Sequence, residues 1–505
     1  MNIVTAKEMY VWDRQAMEEA GIDGKILMEN AGRAVAQNVE KLVDKRQRIL
    51  VLIGAGNNGG DGFVIARTLL NKGYTVRAVQ VVPDEKIKGD ALAHKHMFLA
   101  SNYQLEHLEK LLDLFQSIDH SDVVIDSMLG IGVEGRLRSP IDQVVEYLNQ
   151  SKCLKIAVDI PSGVPADEGV TDFSGLKVDH TFTIAAPKIS MFIEKTAPYF
   201  GEWEVVEIGL PTAKLKKAKR KLWEKRDVAA TFPRRNAYAH KGVHGKALFV
   251  GGSFSMPGSI AMAARAGLRS GAGLATVATV ESAWPSVAAH IPEATYTRVE
   301  EEAGSMVGVI DSGIEGYDAI AIGMGMGRKE GAEAMLRNVL EKSTCPVLID
   351  ADGLYHAKQL LDEVSVRNAP VILTPHPGEM AHLLGIKVPE LLARPFEWSQ
   401  RLASERGVYV VLKGPATIIT TPEGTQYVET SGNAGLAKGG SGDVLSGILL
   451  AMIMQTSSVA DALCNGCFLH GKTAERLTED SHSQVDLLAT DVVEGLSQTL
   501  RTFSG

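Results

Sequence analysis

Asn433-Ala-Gly-Leu-Ala-Lys-Gly-Gly-Ser-Gly-Asp443 sets one carboxylate directly behind a glycine-rich turn that opens an apolar helix. Gly439, Gly440 and Gly442 lack a Cβ, so the backbone can bend sharply and aim N–H groups at a phosphate at the positive end of a helix expected from about Val444. Asp443 then faces whatever carries that phosphate. Taken alone the run could be a plain tight turn. Further out, His376-Pro-Gly-Glu379 follows the apolar run 371–374 and Lys413-Gly-Pro-Ala-Thr417 follows 408–412, while Gly251-Gly-Ser253 and Gly323-Met-Gly-Met-Gly327 also trail apolar runs. Loops after the strands of a parallel sheet are where ligands bind.

The same alternation of short apolar runs and helical patterns fills the chain. Runs at 48–53, 75–82, 122–126 and 155–159 precede a basic stretch, and runs at 247–250, 319–322, 347–350, 371–374 and 408–412 follow it. Strands spaced by helices imply βαβ units, so the expectation is two α/β domains in series, at 1–213 and 227–505. A chain of 505 residues exceeds one ordinary core. Residues 214–226 carry eight basic residues against one acid and read as a solvated linker. A net charge of −9 argues against a nucleic-acid partner.

Cys153, Cys345, Cys464 and Cys467 are too few and scattered for a disulfide framework, which suits a reducing cytoplasm. Cys464 and Cys467 have redox or metal spacing but fall inside a helical pattern without a second Cys or His pair, so core packing is expected. Residues 1–19 hold no uninterrupted apolar stretch, and the apolar run 444–454 is shorter than the roughly 20 residues a membrane span needs. The expectation is a cytoplasmic protein with no membrane partner, forming a homo-oligomer.

Gly54-Ala-Gly-Asn-Asn-Gly59 satisfies the dinucleotide-binding spacing ahead of a helical segment expected at 63–72. Asn57, Asn58 and Asp61 add side-chain oxygens and amides where a plain phosphate turn needs only backbone, and Gly59, Gly60 and Gly62 leave the loop free to wrap a ligand. An acid beside a pyrophosphate costs binding unless it meets a sugar hydroxyl or a cation, so Asp61 suggests contact with a ligand hydroxyl. Asp126 and Asp159 close two further strands, in Asp-Ser-Met-Leu-Gly-Ile-Gly132 and Asp-Ile-Pro-Ser-Gly163. In doubly wound folds those ends share one crevice.

The first set, with Leu27-Met-Glu-Asn-Ala-Gly32, resembles the NAD(P)H-hydrate epimerase domain, a Rossmann-like doubly wound fold. The second resembles the ADP/ATP-dependent NAD(P)H-hydrate dehydratases, a ribokinase-like α/β fold, and their order matches the bifunctional repair enzymes that fuse the two. The resemblance implies a potassium ion at Asn58, Asp126 and Ser162, a set of hard oxygens with no thiol or histidine for a transition metal. It implies substrate contacts at Asn57, Asn58, Gly59, Gly60, Asp61, Gly130, Ile131, Gly132, Val133, Glu134, Gly135, Arg136 and Asp159. In the dehydratase it places the hydrate at Gly325, His376 and Asp443. Nucleotide contacts fall on Lys413, Gly414, Pro415, Ala416, Thr417, Asn433, Ala434, Gly435, Leu436, Ala437, Lys438, Gly439, Gly440, Ser441 and Gly442.

The implied substrates are the hydrates NADHX and NADPHX, which carry a hydroxyl on C6 of the nicotinamide ring. One domain, an isomerase, interconverts their R and S forms with Asp159 as acid/base; the other, a lyase, dehydrates the S form with Asp443 as base. ADP serves as co-substrate, releasing AMP and phosphate, with ATP possible and magnesium at the dehydratase site. Asp350 and Asp352 are open to magnesium contact or to capping roles, and His376 to a structural one. A ribokinase-like small-molecule kinase fused to a dinucleotide-binding domain is the alternative, and a non-catalytic dinucleotide scaffold is disfavoured by so many acids.

Overall fold

In the strand Arg48–Ile53, Ile49, Val51 and Ile53 turn to one face of the sheet and Leu50 and Leu52 to the other, all buried, as the two-residue period of a strand requires. One face meets Val35 and Val39 of the helix Gly24–Leu42, Phe63, Ile65 and Leu69 of Asn57–Asn71, and Phe98 of Gly89–Ala100. The other meets Leu114 and Ile118 of Leu111–Asp119 and Val144, Val145 and Leu148 of Ile141–Gln150. An apolar run buried on both faces is the mark of a parallel sheet wrapped by helices.

The structure is a computed structural model that describes residues 1–133, 135–211, 218–236, 238–310 and 313–503. The chain divides into two compact units, Met1–Lys219 and Arg220–Gly505. In the first, the strands run in the spatial order Leu105–His107, Thr75–Gln80, Arg48–Ile53, Val123–Ser127, Leu154–Val158, His180–Ile184, Glu202–Val206, all parallel. The order reverses between Arg48–Ile53 and Val123–Ser127, and the crevice outside their carboxyl ends is where such folds bind ligands.

In the second unit the parallel strands lie in the order Thr295–Val299, Leu274–Val280, Lys246–Val250, Ala319–Ile322, Val347–Ile349, Val371–Leu373, Tyr409–Leu412. Thr417–Thr420 and Gln426–Glu429 then continue the sheet antiparallel. The helix Ser441–Gln455 is pressed against Pro257–Arg269: a Cβ on Gly447 would lie 2.0 Å from the carbonyl oxygen of Ala263. Apolar residues on every side of that helix are buried, which accounts for the long apolar run. No helix among the described residues is long and apolar enough to cross a membrane.

Local boundaries depart from the sequence reading in three places. Helix Asn57–Asn71 begins six residues earlier than expected and Ser441–Gln455 three residues earlier, because glycines weaken a helical pattern without forbidding it where tertiary contacts hold it. Lys214 to Lys217 of the expected linker lie outside the described residues. Its remainder is not a solvated connector: Arg220–Leu222 is a strand parallel to Gln426–Val428, and Trp223 is buried edge-on to Tyr427 with its Nε1 donating to Asn465 Oδ1 at 3.2 Å. Cys464 and Cys467 are buried in the helix Val459–Asp480.

A piece spanning residues 218–505 is expected to unfold cooperatively, whereas one starting at residue 227 should be less stable by roughly 2–4 kcal/mol through loss of the buried Leu222 and Trp223 side chains. Denaturant titration of both pieces checks this; equal midpoints at equal slope would show that this strand adds nothing.

Candidate functional sites

At the first crevice, a cavity of about 620 Å³ is lined by Asn57, Asn58, Asp61, Gly130, Ile131, Gly132, Val133 and Asp159, together with Tyr10, Asp13 and Lys188. Asp159 follows the strand Leu154–Val158 with a φ of +66°, a conformation uncommon outside glycine. Its carboxylate forms an ion pair with the fully buried ammonium of Lys188 and accepts from the N–H of Ile184 at 2.9 Å. Lys188 also donates to Thr183 Oγ1 at 3.2 Å and to the Ile184 carbonyl at 3.0 Å. One lysine thus faces three acids. Burial, then the charges of Asp159 and Asp13, hold the Asp61 carboxyl well above the usual carboxylate range. Burial and the Asp159 charge push Asp13 up to about 6.

Behind the cavity, Asp126 is fully buried on the strand Val123–Ser127 and accepts from Ser162 N at 2.7 Å, Ser162 Oγ at 2.6 Å and Met128 N at 3.1 Å. Burial nevertheless pushes it up to about 6 against those bonds. Asn58 Nδ2 donates to the Leu129 carbonyl at 2.5 Å, which turns its Oδ1 toward a buried position with no hydrogen-bond partner. Asn58, Asp126 and Ser162 are therefore drawn together by one network through Leu129, whose N–H donates to Ser162 Oγ at 2.9 Å.

The structure separates other expected contacts from the cavity. Gly59, Gly60 and Gly62 are not a free loop but the first turns of a helix, and their lack of side chains serves packing: a Cβ would lie 2.1 Å from Gly54 O at Gly59 and 2.3 Å from Met28 Sδ at Gly60. Gly135 and Arg136 do not line the cavity; Arg136 sits on the surface in an ion pair with Asp172 at 3.0 Å. Glu134 lies outside the described residues. Asp13 and Tyr10, missed by the sequence reading, come from the helix Ala6–Glu18, where one acid among three in an amphipathic pattern gives no signal.

At the second crevice, successive strand ends carry Gly325, Asp350, His376 and Lys413, facing the first turn of Ser441–Gln455 with Asp443. Lys413 Nζ donates to Asp350 Oδ1 at 2.8 Å, and Ser446 Oγ to Asp350 Oδ2 at 2.7 Å. Asp350, open in sequence to magnesium contact or capping, is the buried partner that fixes Lys413 beside Gly442, whose hypothetical Cβ would lie 3.4 Å from Nζ. Burial would lower the Lys413 pKa, but the charges of Asp350 and Glu379 outweigh that and raise it. Asp443 is pushed up to about 6 by burial and the Asp350 charge, against a hydrogen bond from Ser259 and the Lys413 charge. Glu379 is likewise pushed up to about 6, chiefly by burial.

Gly440, at φ +92°, caps that helix with no side-chain hydrogen bond; Ser441 N donates to the Lys438 carbonyl at 3.4 Å, while the N–H groups of Gly442 and Asp443 are left for an anion. Asn433 Oδ1 accepts from Gly435 N at 3.0 Å and its Nδ2 donates to Thr478 Oγ1 at 2.8 Å, pinning the start of the loop. Lys438 donates to the Val485 carbonyl. His376 is a helix N-cap: Nδ1 accepts from Gly378 N at 3.0 Å, leaving Nε2 to face Glu379 Oε1 at 3.5 Å. Gly325 has φ +66°, and a Cβ there would sit 2.9 Å from the Met256 carbonyl, so only glycine fits this turn. Among the described residues no cluster of three or more His, Cys, Asp or Glu forms a metal cage.

Fold and sites together define a two-domain α/β enzyme that joins a doubly wound unit to a nucleotide-dependent one. Residues 247–497 match the family described as NAD(P)H-hydrate dehydratase and 24–190 the YjeF-related protein N-terminus. The bifunctional NAD(P)H-hydrate repair enzyme of Thermofilum pendens is 34% identical over 508 residues, covering 99% of this chain and 96% of that protein. A ribokinase-like superfamily protein from Enterococcus faecalis aligns with 58% of this chain and 99% of its own at 25% identity and a TM-score of 0.50. An ADP/ATP-dependent NAD(P)H-hydrate dehydratase from Bacillus subtilis, co-crystallised with ATP and magnesium, is 35% identical over 56% of this chain and 99% of its own, with a TM-score of 0.49. The chain belongs to the bifunctional NAD(P)H-hydrate repair enzymes. It is an isomerase and a lyase in one polypeptide, an epimerase followed by an ADP/ATP-dependent dehydratase.

The Asp443 carboxyl is held up at about 6; with Asp443 as the base of dehydration, the rate should fall about tenfold per pH unit below pH 6 and level off above it. Ser259→Ala removes a bond that favours the ionised form and should move that limb upward; Asp350→Asn removes a like charge and should move it down. The kcat–pH profiles of the two variants check both signs, and shifts in the same direction would assign the limb to another group.

Proposed function

We propose that Asp443 and Asp159 carry the two reactions on the C6 hydroxyl of NADHX and NADPHX, and that ADP is the phosphoryl donor. C6 lies beside the ring nitrogen, so departure of its oxygen is assisted by the nitrogen lone pair and leaves an iminium ion. At the second site Asp443 takes the hydroxyl proton while the oxygen attacks the terminal phosphorus of ADP and AMP departs. The C6–O bond then breaks, releasing phosphate, and loss of a C5 proton restores the double bond. The helix N-terminus at Gly440 to Gly442 and Lys413 favour the charge on the transferring group. The observation that carries this reading is Asp443 in the first turn of a helix left without a side-chain cap, with Lys413 held beside Gly442.

In the first crevice Asp61, its carboxyl held well above the usual range by burial and its neighbours, gives its proton to the departing hydroxyl, which leaves as water; Asp159, fixed by Lys188, takes a proton from that water as it re-adds, and the proton's return to Asp61 restores the starting state. Re-addition to the other face of the iminium completes epimerisation. A well-placed acid/base contributes about 10² to 10⁴ in rate. Asn57 and Gly130 to Val133 line the remaining wall and position the nucleotide portion.

Asn58, Asp126 and Ser162 fit a potassium ion: a buried amide oxygen without a partner and a buried carboxylate short of positive charge both call for a hard cation. When bound, the ion would supply fixed positive charge for orienting oxygen groups of the substrate. Magnesium fits as the companion of the nucleotide, which brings its own phosphate ligands to a crevice where Lys413 answers only part of the charge of Asp350, Asp443 and Glu379.

Asp443→Asn should abolish nucleotide-dependent dehydration, read as returning dihydronicotinamide absorbance and released phosphate, while leaving epimer interconversion intact by chromatography. Asp159→Asn should do the reverse, slowing epimerisation at least about 10²-fold; dehydration of mixed hydrate would then stall once the accepted epimer is consumed. A wild-type dehydration rate in the first variant or wild-type epimerisation in the second removes that residue's assignment. Potassium, compared with tetramethylammonium at equal ionic strength, should raise the midpoint of thermal unfolding of the wild-type chain. Asn58→Ala should erase the difference, and an unchanged midpoint in the wild type would count against the ion.

A further inference from the structure

Arg328 follows the turn of Gly325 to Gly327 at the end of the strand Ala319–Ile322, and its guanidinium is held on two sides. Nε donates to Asp352 Oδ1 at 2.9 Å, while Asp352 Oδ2 accepts from Gly327 N at 3.0 Å, so one carboxylate locks both the turn and the side chain leaving it. The guanidinium carbon sits 5.2 Å from the centre of the Tyr355 ring, which stacks in turn on His382 at 5.0 Å and 7°. His356 Nε2 lies 3.0 Å from the Gly327 carbonyl and steadies the same turn. Although Arg328 is so fixed, its side chain remains 62% exposed, and its two terminal NH₂ groups have no protein acceptor among the described residues. The arginine is ordered before any ligand arrives, which removes much of the entropic cost of engaging one.

Charge decides what that ligand is. The crevice beside Arg328 holds Asp350, Asp352, Glu379 and Asp443, with Lys413 already bound to Asp350. Arg328 faces this acidic site from the turn that carries Gly325, and its charge is felt at His376 and Glu379. A hydrate of NADH or NADPH brings a diphosphate, and NADPHX a further 2′-phosphate. Those anions must be met by a cation outside the acid cluster, and a forked guanidinium matches phosphate oxygens in pairs.

We propose that Arg328, seated on Tyr355 and anchored by Asp352, binds a phosphate of the dinucleotide hydrate and thereby orients its nicotinamide end over Gly325 toward Asp443. The inference rests on the reading of this crevice as the hydrate site of the dehydratase. It adds a phosphate contact on the strand-end turn opposite the helix that receives ADP.

The test measures dehydration by the full-length enzyme with NADHX, NADPHX and the hydrate of reduced nicotinamide mononucleotide, each at saturating ADP. Arg328→Ala should lower kcat/KM by about 10-fold to 100-fold, mostly through KM, with the KM for ADP unaltered. Arg328→Lys should recover only part, because a point charge replaces a fork. Equal loss with NADHX and NADPHX places the diphosphate at Arg328; loss confined to NADPHX places the 2′-phosphate there, and either supports the proposal. Tyr355→Leu should give a smaller loss of the same kind by freeing the guanidinium. Unchanged KM for every hydrate, or a rise in the KM for ADP instead, overturns it. Failure of the wild-type enzyme itself to release phosphate and dihydronicotinamide would strike the underlying reading, not Arg328.

Discussion

In each unit the chemistry hangs on one lysine ammonium set against a strand-end aspartate: Lys188 on Asp159 in the first, Lys413 on Asp350 in the second. Taking either charge out of water alone would cost several kcal/mol, and removing one partner of a buried pair typically costs about 3–5 kcal/mol. Each pair is further tied to backbone or hydroxyl groups, by Ile184 and Thr183 around Lys188 and by Ser446 on Asp350. The fixed lysine then stands beside carboxyls it does not fully neutralise. Asp61 and Asp13 in one crevice, and Asp443 and Glu379 in the other, are all held above their ordinary range. A carboxyl that exchanges its proton near neutrality is what a reaction at a hydroxyl group needs.

The two crevices pose the same chemical problem with different outcomes. On the proposed mechanism both act on an oxygen bonded to a carbon beside a ring nitrogen, and both lead through an iminium ion. In the first, apolar residues such as Met9, Leu27, Met28 and Ile208 line the cavity along with its acids, so the bound ligand can be held while a departing oxygen is returned to the other face. The second crevice adds a helix N-terminus and a lysine for phosphate, which turns a poor leaving group into a good one. Exchange at the first site renews the epimer that the second consumes, which is the physical reason for carrying both activities on one chain.

Much of this was legible because glycine and aspartate at strand ends are constrained by geometry. The strands Arg48–Ile53 and Ala319–Ile322 fall on the residues their apolar runs mark, and Asp126, Asp159, His376, Lys413 and Asp443 all sit at or just beyond strand or helix ends. What escaped followed from tertiary packing. Asp13 reaches the first cavity only because the helix Ala6–Glu18 lies over it, and nothing local separates it from a solvated acid. Asp350 is ambiguous in sequence since a cap, a metal ligand and an ion-pair partner share one residue type; its pairing with Lys413, 63 positions away, is visible only in the fold. Arg220–Leu222 hid among basic residues, because a strand of three residues has too few side chains to show a period of two and only Leu222 and the following Trp223 are buried. The glycines at 59 and 60 were read as loop flexibility, yet their value is close approach, which sequence alone does not distinguish.

Backbone strain points to the same atoms independently of any similarity. Few non-glycine residues take a positive φ, and each such residue costs on the order of 1–3 kcal/mol unless its surroundings compel it. Asp159 at +66° and Ala351 at +50°, the latter directly after Asp350, are two of them, and each stands where a strand delivers the aspartate of its lysine pair. The compulsion is visible: Asp159 N donates to the Phe182 carbonyl at 2.8 Å while its carboxylate takes the Ile184 N–H, and the Asp350 carbonyl is wedged where a Cβ on Gly323 would lie 1.9 Å away. At Asp159 the positive φ falls on the acid itself, so the kink sets the direction of its carboxylate into the crevice, and Lys188 repays part of the cost by holding the turned side chain in place; at Ala351 the chain turns just after Asp350 has paired with Lys413.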